Sequence, residues 1–457
     1  MKIVLLTHHF PPRFRAGGEQ YAYRLTHGLH RRGFTVEVVT IESITKGETY
    51  PTCQTDHNEG FPVHRLFYRL PDGAANQFEW SFRNPQLGKW IKTYLEQTRP
   101  DIVHVNSGYL LGGTVPEAAF ALGIPTVLTL HDYWYICPQI TLRQRNGRLC
   151  SEPVPETACT WCVLSAKRRY RRPDQWAKGQ LMDAFVRLNQ LNENMPRLTG
   201  TNVLQTQIHE RRKYLQQVFA QFDLVISPSR FLLEKMATYG LSTRQVVHIP
   251  IGLDDNHLES PRETSLPTTY ALRLGYLGQI VPHKGVHLLV KAFQRLNKRP
   301  GTCQLILNGM LSTDDSYQRK ILHQVNNDPD IVLAGSYPNN EVGQILQQLD
   351  VVVVPSTWYE NYPVVIVEAL ATKTPVIAAR LGGMAELITH EKNGLLFAVD
   401  DVTDLTLQLQ RLLDDPHLLN HLRSGIEPTP QLDDELTKLI AHYTEIQGMR
   451  GGERVIP

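Results

Sequence analysis

Val351-Val352-Val353-Val354 is apolar at every position and stops at Pro355, and shortly after it comes Glu360-Asn361-Tyr362-Pro363-Val364-Val365-Ile366-Val367-Glu368. A short run with no polar face fits a parallel strand covered on both sides. Pro363 suits the first position of a helix, where its missing N–H would have no partner anyway. The expected helix therefore opens at Pro363, and the N–H groups of Asn361 and Tyr362 point at an anion. Glu360 lies just before that helix and Glu368 on its second turn. At a rise of about 1.5 Å per residue, the two carboxylates reach different parts of one elongated ligand. The plainer readings are a helix-dipole partner for Glu360 and a surface charge for Glu368. The apolar run around Glu368 favours a buried, partnered role.

The same strand-then-helix grammar extends in both directions. In the first half it predicts strands at Lys2–Thr7, Val36–Thr40, Ile102–Asn106, Thr126–Leu130, Leu224–Ser227 and Val246–Ile249. In the second half it predicts Leu272–Leu277, Gln304–Asn308, Ile331–Ala334, Val351–Val354, Pro375–Ala378 and Leu395–Ala398. Apolar residues recur at Tyr21, Leu25 and Leu29 before Gly33, and at Val286, Leu289, Phe293 and Leu296 after Gly285. Such spacing buries one stripe of a helix against a sheet. Alternation of this kind is the signature of an α/β fold with parallel sheets.

At 457 residues the chain exceeds one ordinary core. A stretch rich in Pro, Ser, Thr and acidic residues, Gly252–Thr269, reads as a linker. The expected division is 1–252, then 270–428, then a crossing helix and tail over 429–457. Residues 137–215 break the alternation and read as an insertion. Leu432–Ile446 reads as an amphipathic helix, with a loose tail after Gln447. Apolar residues are 42%, charged residues 20% and the net charge is +2, which is globular and leaves no dominant nucleic-acid footprint. No apolar run approaches the roughly 20 residues of a spanning helix, and Met1–Leu6 reads as a first strand rather than a signal-peptide core. A cytoplasmic protein, able to sit on a membrane surface, is the expectation.

Ligands of open α/β sheets bind beyond the C-terminal ends of the strands. Three further places qualify. Gly17-Gly18 follows the first strand and opens a helix, either cradling an anion with backbone N–H groups or forming a plain loop. It is not a G-x-G-x-x-G fingerprint, which disfavours nicotinamide and flavin. His131 follows Thr126–Leu130 and faces a cleft, unless it is a satisfied loop histidine. Gly278-Gln279-Ile280-Val281-Pro282-His283-Lys284-Gly285 follows the first strand of the second half, and Lys284 either meets a phosphate or is solvated.

Two features lie outside this scheme. Cys137, Cys150, Cys159 and Cys162 hold one tight C-x2-C pair and two looser partners. Four thiolates would make a structural zinc site; reduced thiols or two disulfides are the alternatives. Lys167-Arg168-Arg169-Tyr170-Arg171-Arg172 and Arg211-Arg212-Lys213 are basic runs that are either solvated or touch anionic lipid or a lipid-linked diphosphate.

Taken in order, the Gly17-Gly18 loop, the His131 segment, the Pro282–Gly285 turn, Glu360-x7-Glu368, Arg380–Glu386 and Asn393–Phe397 resemble the retaining GT-B glycosyltransferases of family four, the glycosyl transferases group 1. The resemblance covers nearly the whole chain. It implies two Rossmann-like domains facing a cleft, with the last helix packing back on the N-terminal domain. It implies a nucleoside-diphosphate sugar as donor, a glycan or lipid-linked hydroxyl as acceptor, and no catalytic metal. Lys284 would hold the donor diphosphate, Glu360 the donor sugar and Glu368 the nucleotide ribose. Backbone at Asn361, Tyr362, Pro363 and Val364 would support sugar and phosphates, Gly17 or Gly18 would touch phosphate or acceptor, and His131 would line the reaction centre. One departure stands out: the family usually places Arg where this chain has Gln279, and a neutral amide cannot supply the forked positive charge. A non-catalytic nucleotide-sugar-binding relative and a GT-B epimerase are therefore the competing readings.

Overall fold

The computed structural model describes residues 1–14, 17–58, 60–150, 154–191, 200–254, 272–312, 315–326 and 328–452. Most of the linker expected at Gly252–Thr269 lies outside the described residues. The chain divides into two compact units, residues 1–250 with 433–457 and residues 251–432.

The first unit is built on eight strands: β1 (Lys2–Thr7), β2 (Thr35–Ser43), β3 (Thr52–Asn58), β4 (Phe61–Phe67), β5 (Ile102–Asn106), β6 (Thr126–Thr129), β7 (Leu224–Ser227) and β8 (Val246–His248). Their order is β3-β4-β2-β1-β5-β6-β7-β8. Every pairing is parallel except β3 with β4. Ile3, Val4, Leu5 and Leu6 of β1 are buried, as expected of a central strand covered on both faces. Successive strands step one way from β1 and then jump to its other side at β5, so the topological switch lies between β1 and β5. Helix Gly17–Arg31 buries Tyr21, Leu25 and Leu29 and ends before Gly33, whose φ of 83° suits glycine. The β3–β4 hairpin is a departure from the expected strands. Thr52–Asn58 is polar throughout, and Phe61–Phe67 carries Pro62, so neither shows the apolar run of the other strands.

The last helix, Leu432–Gly452, continues past Gln447, where a loose tail was expected. It packs on the first unit, as the resemblance implies. Leu436 lies against Gly28 so closely that a Cβ there would stand 2.5 Å from Leu436 Cδ1. Arg32 pairs with Asp433. Tyr443 Oη, fully buried, lies 2.5 Å from His104 Nδ1, and His104 Nε2 lies 2.7 Å from Thr129 Oγ1. Burial drives the His104 pKa down to about 3, so the ring is neutral.

The second unit carries β9 (Leu272–Leu277), β10 (Cys303–Asn308), β11 (Ile331–Gly335), β12 (Val351–Val354), β13 (Val376–Ala379) and β14 (Gly394–Phe397). Their order is β11-β10-β9-β12-β13-β14 and all pairs are parallel. This is the Rossmann order, with its switch between β9 and β12. Leu274, Val351, Val352, Val353, Ile377 and Phe397 are buried at its centre. At the opposite, N-terminal edge of β12, Asp350 accepts from Arg273 Nε at 3.1 Å and Arg423 Nη2 at 3.0 Å. Burial raises the Asp350 pKa, but the two guanidiniums and the Arg273 backbone N–H outweigh that and hold it below the ordinary carboxylate range.

Candidate active site

In the second unit the loops leaving β9 and β12 flank the switch point, and they bring Lys284 and Glu360 together. Lys284 ends a 3₁₀ turn, Pro282–Lys284, and the turn closes through Gly285 at φ 73°. Gly285 is required twice: the left-handed φ disfavours a side chain, and a Cβ would stand 1.8 Å from Pro355 O. Thr357 N donates to His283 O at 2.8 Å, which ties the two loops.

Glu360 is 6% exposed. Its Oε1 accepts from Lys284 Nζ at 2.7 Å, Ser356 Oγ at 2.6 Å and Trp358 Nε1 at 2.8 Å. Burial pushes its pKa up; the Lys284 charge and these three hydrogen bonds push harder the other way, so the group is held ionised below its ordinary range. Lys284 Nζ also lies 5.5 Å from the Trp358 ring centroid. Ser356 and Trp358 were not anticipated. Their only sequence signal is that they follow β12 directly.

The helix after this loop is Val364–Ala371, with Pro363 as its N-cap at φ −69°. The expectation of Pro363 as the first helical residue is off by one: the first turn closes with Ile366 N donating to Pro363 O. Asn361 is buried and Tyr362 half-buried. Tyr362 Oη donates to Ile251 O at 3.4 Å. Val364 is partly exposed at the helix start, and Glu368 is partly buried one turn on, close enough to the half-buried Tyr337 that its charge adds to desolvation in raising the Tyr337 pKa. Gly382 and Gly383 pack under this segment. Gly383 N donates to Glu360 O at 2.8 Å, and a Cβ on Gly383 would stand 1.8 Å from Asn361 O. The Arg380–Glu386 stretch thus supports the Glu360 loop through two side-chain-free positions. Gln279 is exposed, and its carbonyl accepts from Tyr276 Oη at 2.6 Å.

In the first unit the ends of β1, β5 and β6 form a second cluster. His131 Nε2 lies 2.5 Å from Asn106 Oδ1, and Asn106 Nδ2 donates to Gly18 O at 3.2 Å. The Asn106 amide thus presents its oxygen to His131, whose Nε2 is the donor. Tyr21 lies against the same ring, with centroids 4.5 Å apart. Burial first, and neighbouring positive groups after it, lower the His131 pKa to about 3. The imidazole is therefore neutral, with its proton on Nε2. His8 Nε2 lies 3.3 Å from Glu19 Oε1, and Ser107 Oγ donates to Asp132 Oδ2 at 2.7 Å. Gly17, at the exposed helix start, makes no close approach a Cβ would spoil, and at Gly18 a Cβ would stand 3.4 Å from His8 Cε1. His8, Glu19, Asn106 and Asp132 were missed, although each stands at or just beyond a strand's end or in the first helical turn.

Cys137, Cys150, Cys159 and Cys162 all line one cavity of the first unit, and none forms a disulfide. Among the described residues no group of three or more His, Cys, Asp or Glu is placed so that it could hold a metal ion. No helix among them is long and apolar enough to cross a membrane.

The "Glycosyl transferase 4-like domain" family matches residues 16–172, and "Glycosyl transferases group 1" matches residues 262–427. The chain belongs to the group 1 glycosyl transferases. This glycosyltransferase is 27% identical to glycogen synthase of Mycobacterium tuberculosis over 419 residues, covering 91% of this chain and 87% of the relative. Its fold matches sucrose-phosphate synthase from Thermosynechococcus elongatus, with a TM-score of 0.64, 19% identity and coverage of 98% and 99% of the two chains. It also matches Anabaena Alr3699/HepE in complex with UDP, with a TM-score of 0.63, 17% identity and coverage of 97% and 100%. The GT-B fold class inferred from the sequence is the fold found. The group 1 match spans both Lys284 and Glu360, and the 4-like match spans Gly17, Gly18 and His131.

Proposed function

We propose that this glycosyltransferase moves a sugar, with retention at the anomeric carbon, from a nucleoside-diphosphate sugar to a hydroxyl of a glycan or lipid-linked acceptor. The observation that carries the reading is the Lys284–Glu360 pair at the switch point of the second sheet. Without donor, the ammonium is parked on the carboxylate. With donor, Lys284 meets the diphosphate and Glu360 turns its freed lone pairs to the sugar hydroxyls. The backbone at Asn361, Tyr362, Pro363 and Val364 supports sugar and phosphate, helped by the helix dipole. Glu368 takes the ribose. Gly17, Gly18 and His131 serve the acceptor side, with neutral His131 offering hydrogen bonds rather than an acidic proton. The UDP bound to the HepE relative supports a nucleotide donor.

In the reaction the anomeric C–O bond to phosphate breaks and the acceptor oxygen bonds to the same face. The acceptor proton passes to the departing diphosphate. Negative charge grows on that diphosphate, where Lys284 and the start of helix Val364–Ala371 stabilise it. Retention by a covalent enzyme–sugar intermediate would need a carboxylate nucleophile; Glu360 still accepts from Ser356 and Trp358 after Lys284 leaves and is poorly suited to that task. Proton NMR of the first-formed product tests the stereochemistry: an anomeric configuration opposite to the donor's defeats the retaining assignment. Gln279 favours a second reading, a protein that binds nucleotide sugar without turning it over. Nucleotide release across a donor and acceptor panel separates the two.

Membrane contact belongs to the same proposal. The helix Arg168–Trp176 carries four arginines and ends on Trp176, 84% exposed; the next helix, Gln180–Leu191, ends on Leu191, also 84% exposed. Basic and apolar side chains in one stretch suit an anionic lipid surface. Pelleting with vesicles tests it: equal binding with and without acidic lipid at low salt removes the idea.

A further inference from the structure

The cysteines play no part in the sugar-transfer reading, yet their placement is not incidental. They come from three separate segments. Cys137 follows the turn after β6, with its N–H donating to Tyr133 O at 2.7 Å. Cys150 ends a short hairpin pinned by Cys150 N to Leu142 O at 2.9 Å and by the Arg143–Leu149 bridge. Cys159 and Cys162 lie one turn apart on helix Glu156–Leu164. All four side chains reach the same cavity of about 20 Å³. That volume admits one water-sized occupant, since about 10–15 Å³ is needed to hold one. The other two cysteines, Cys53 and Cys303, line no part of it.

The surrounding charge is the second observation. Arg212 Nη2 lies 3.3 Å from Cys159 Sγ. Arg211 is 2% exposed, stacks over Trp134 and donates to Trp134 O. Its Nη1 finds no hydrogen-bond partner among the described residues. Asp132 is already engaged by Ser107 Oγ and Trp134 N. Arg212 also pairs with Glu156 Oε1 at 3.8 Å, but Arg211 keeps a buried guanidinium nitrogen without a hydrogen-bond acceptor among the described residues, which is costly.

We propose that Cys137, Cys150, Cys159 and Cys162 bind one thiophilic divalent ion of the zinc class as a structural site. Four thiols each lose a proton to solvent, four metal–sulfur bonds form, and no electrons are transferred. The shell then carries −2, and Arg211 lies beside it, together with Arg212, which the shell shares with Glu156. As placed, the thiols do not form a finished shell, so the ion draws them in by side-chain rotation around the shared cavity. The product is a staple joining the turn after β6, the hairpin and helix Glu156–Leu164. Such sites contribute directly to folding.

The test uses the full chain, purified without added metal or chelator. Elemental analysis should find one zinc per chain, and a mercurial that caps thiols should release it to a colorimetric chelator. Cys150→Ser and Cys162→Ser should each lower bound zinc at least tenfold, whereas Cys53→Ser should leave it at one. Where a variant fails to fold, the wild-type chain exchanged with cobalt decides: a tetrahedral thiolate–cobalt spectrum supports the site. Absence of both zinc and that spectrum overturns it, as does an intact mass showing two disulfides among these four residues. None of these readouts depends on sugar transfer, so failure here leaves the activity standing.

Discussion

Replacing Lys284 by Met removes the cation from Glu360 while keeping most of the side-chain volume. Breaking a buried pair by deleting one partner costs about 3–5 kcal/mol, because the other charge stays buried without compensation. Here the Lys284 side chain is 27% exposed and that of Glu360 7%, so solvent softens the loss on one side only. Ser356 and Trp358 still donate to Oε1. A loss of about 2–3 kcal/mol follows from these opposing factors. For a domain of this size each kcal/mol moves Tm by about 2–4 °C. The midpoint should therefore fall by roughly 4–12 °C on that slope. Adding Glu360→Gln to Lys284→Met removes the stranded charge and should restore most of the midpoint. It should not restore chemistry: losing an electrostatic donor to a developing anion costs about 10²–10³ in turnover. Calorimetry and nucleotide release on the wild type, both single variants and the double variant provide the assay. A Lys284→Met chain as stable as wild type, or a double variant that recovers turnover, would refute the reasoning.

Lowering pH should act on the two units at different points. The buried His104 and His131 both have folded pKa values of about 3, far below the unfolded value of about 6.5, so the unfolded chain binds the extra protons. Stability of the first unit is then complete above about pH 6.5 and falls below it by up to about 1.4 kcal/mol per pH unit for each ring, a slope that His104→Gln should roughly halve. Glu360 and Asp350 have depressed folded values, so their contribution is intact above about pH 4 and is lost only as pH falls through those values; a second-unit transition weakening first, at pH 6, contradicts this. Gly383→Ala should cost about 1–3 kcal/mol by overpacking against Asn361 O and weaken donor binding, whereas Gly448→Ala, which meets nothing, should gain about 0.5–1 kcal/mol in thermal melts. Gln279→Arg places a fork at the exposed end of β9 and should tighten nucleoside-diphosphate binding roughly tenfold, or about 1.4 kcal/mol, by calorimetric titration; unchanged affinity places the phosphates elsewhere.

The sheets were readable because their central strands are covered on both faces and so carry apolar runs, unbroken at Val351–Val354 and Val376–Ala379. The β3–β4 hairpin was not, because Thr52–Asn58 lies at a sheet edge and is polar throughout. Lys284 and Glu360 could be singled out from their places after strands. Their pairing needs the sheet order, which sets β9 beside β12 although the chain makes β10 and β11 between them. His131 and Asn106 meet because β5 and β6, successive in the chain, are also paired in the sheet. The start of helix Val364–Ala371 shifted by one residue because Pro363 has an extended ψ of 102°, a backbone detail that residue type alone leaves open.

The final helix has a consequence for how the chain is made. Residues 433–457 complete a unit whose other strands and helices lie within the first 250. A ribosome working from the N-terminus must translate the whole of the other unit before Tyr443 can cap His104 and Leu436 can cover Gly28. Until then the nascent first sheet holds an unsealed polar pocket and an open apolar stripe. Helix Leu432–Gly452 thus acts as the closing stitch of the first sheet, and a chain cut between the second sheet and this helix would carry one finished half and one gaping one.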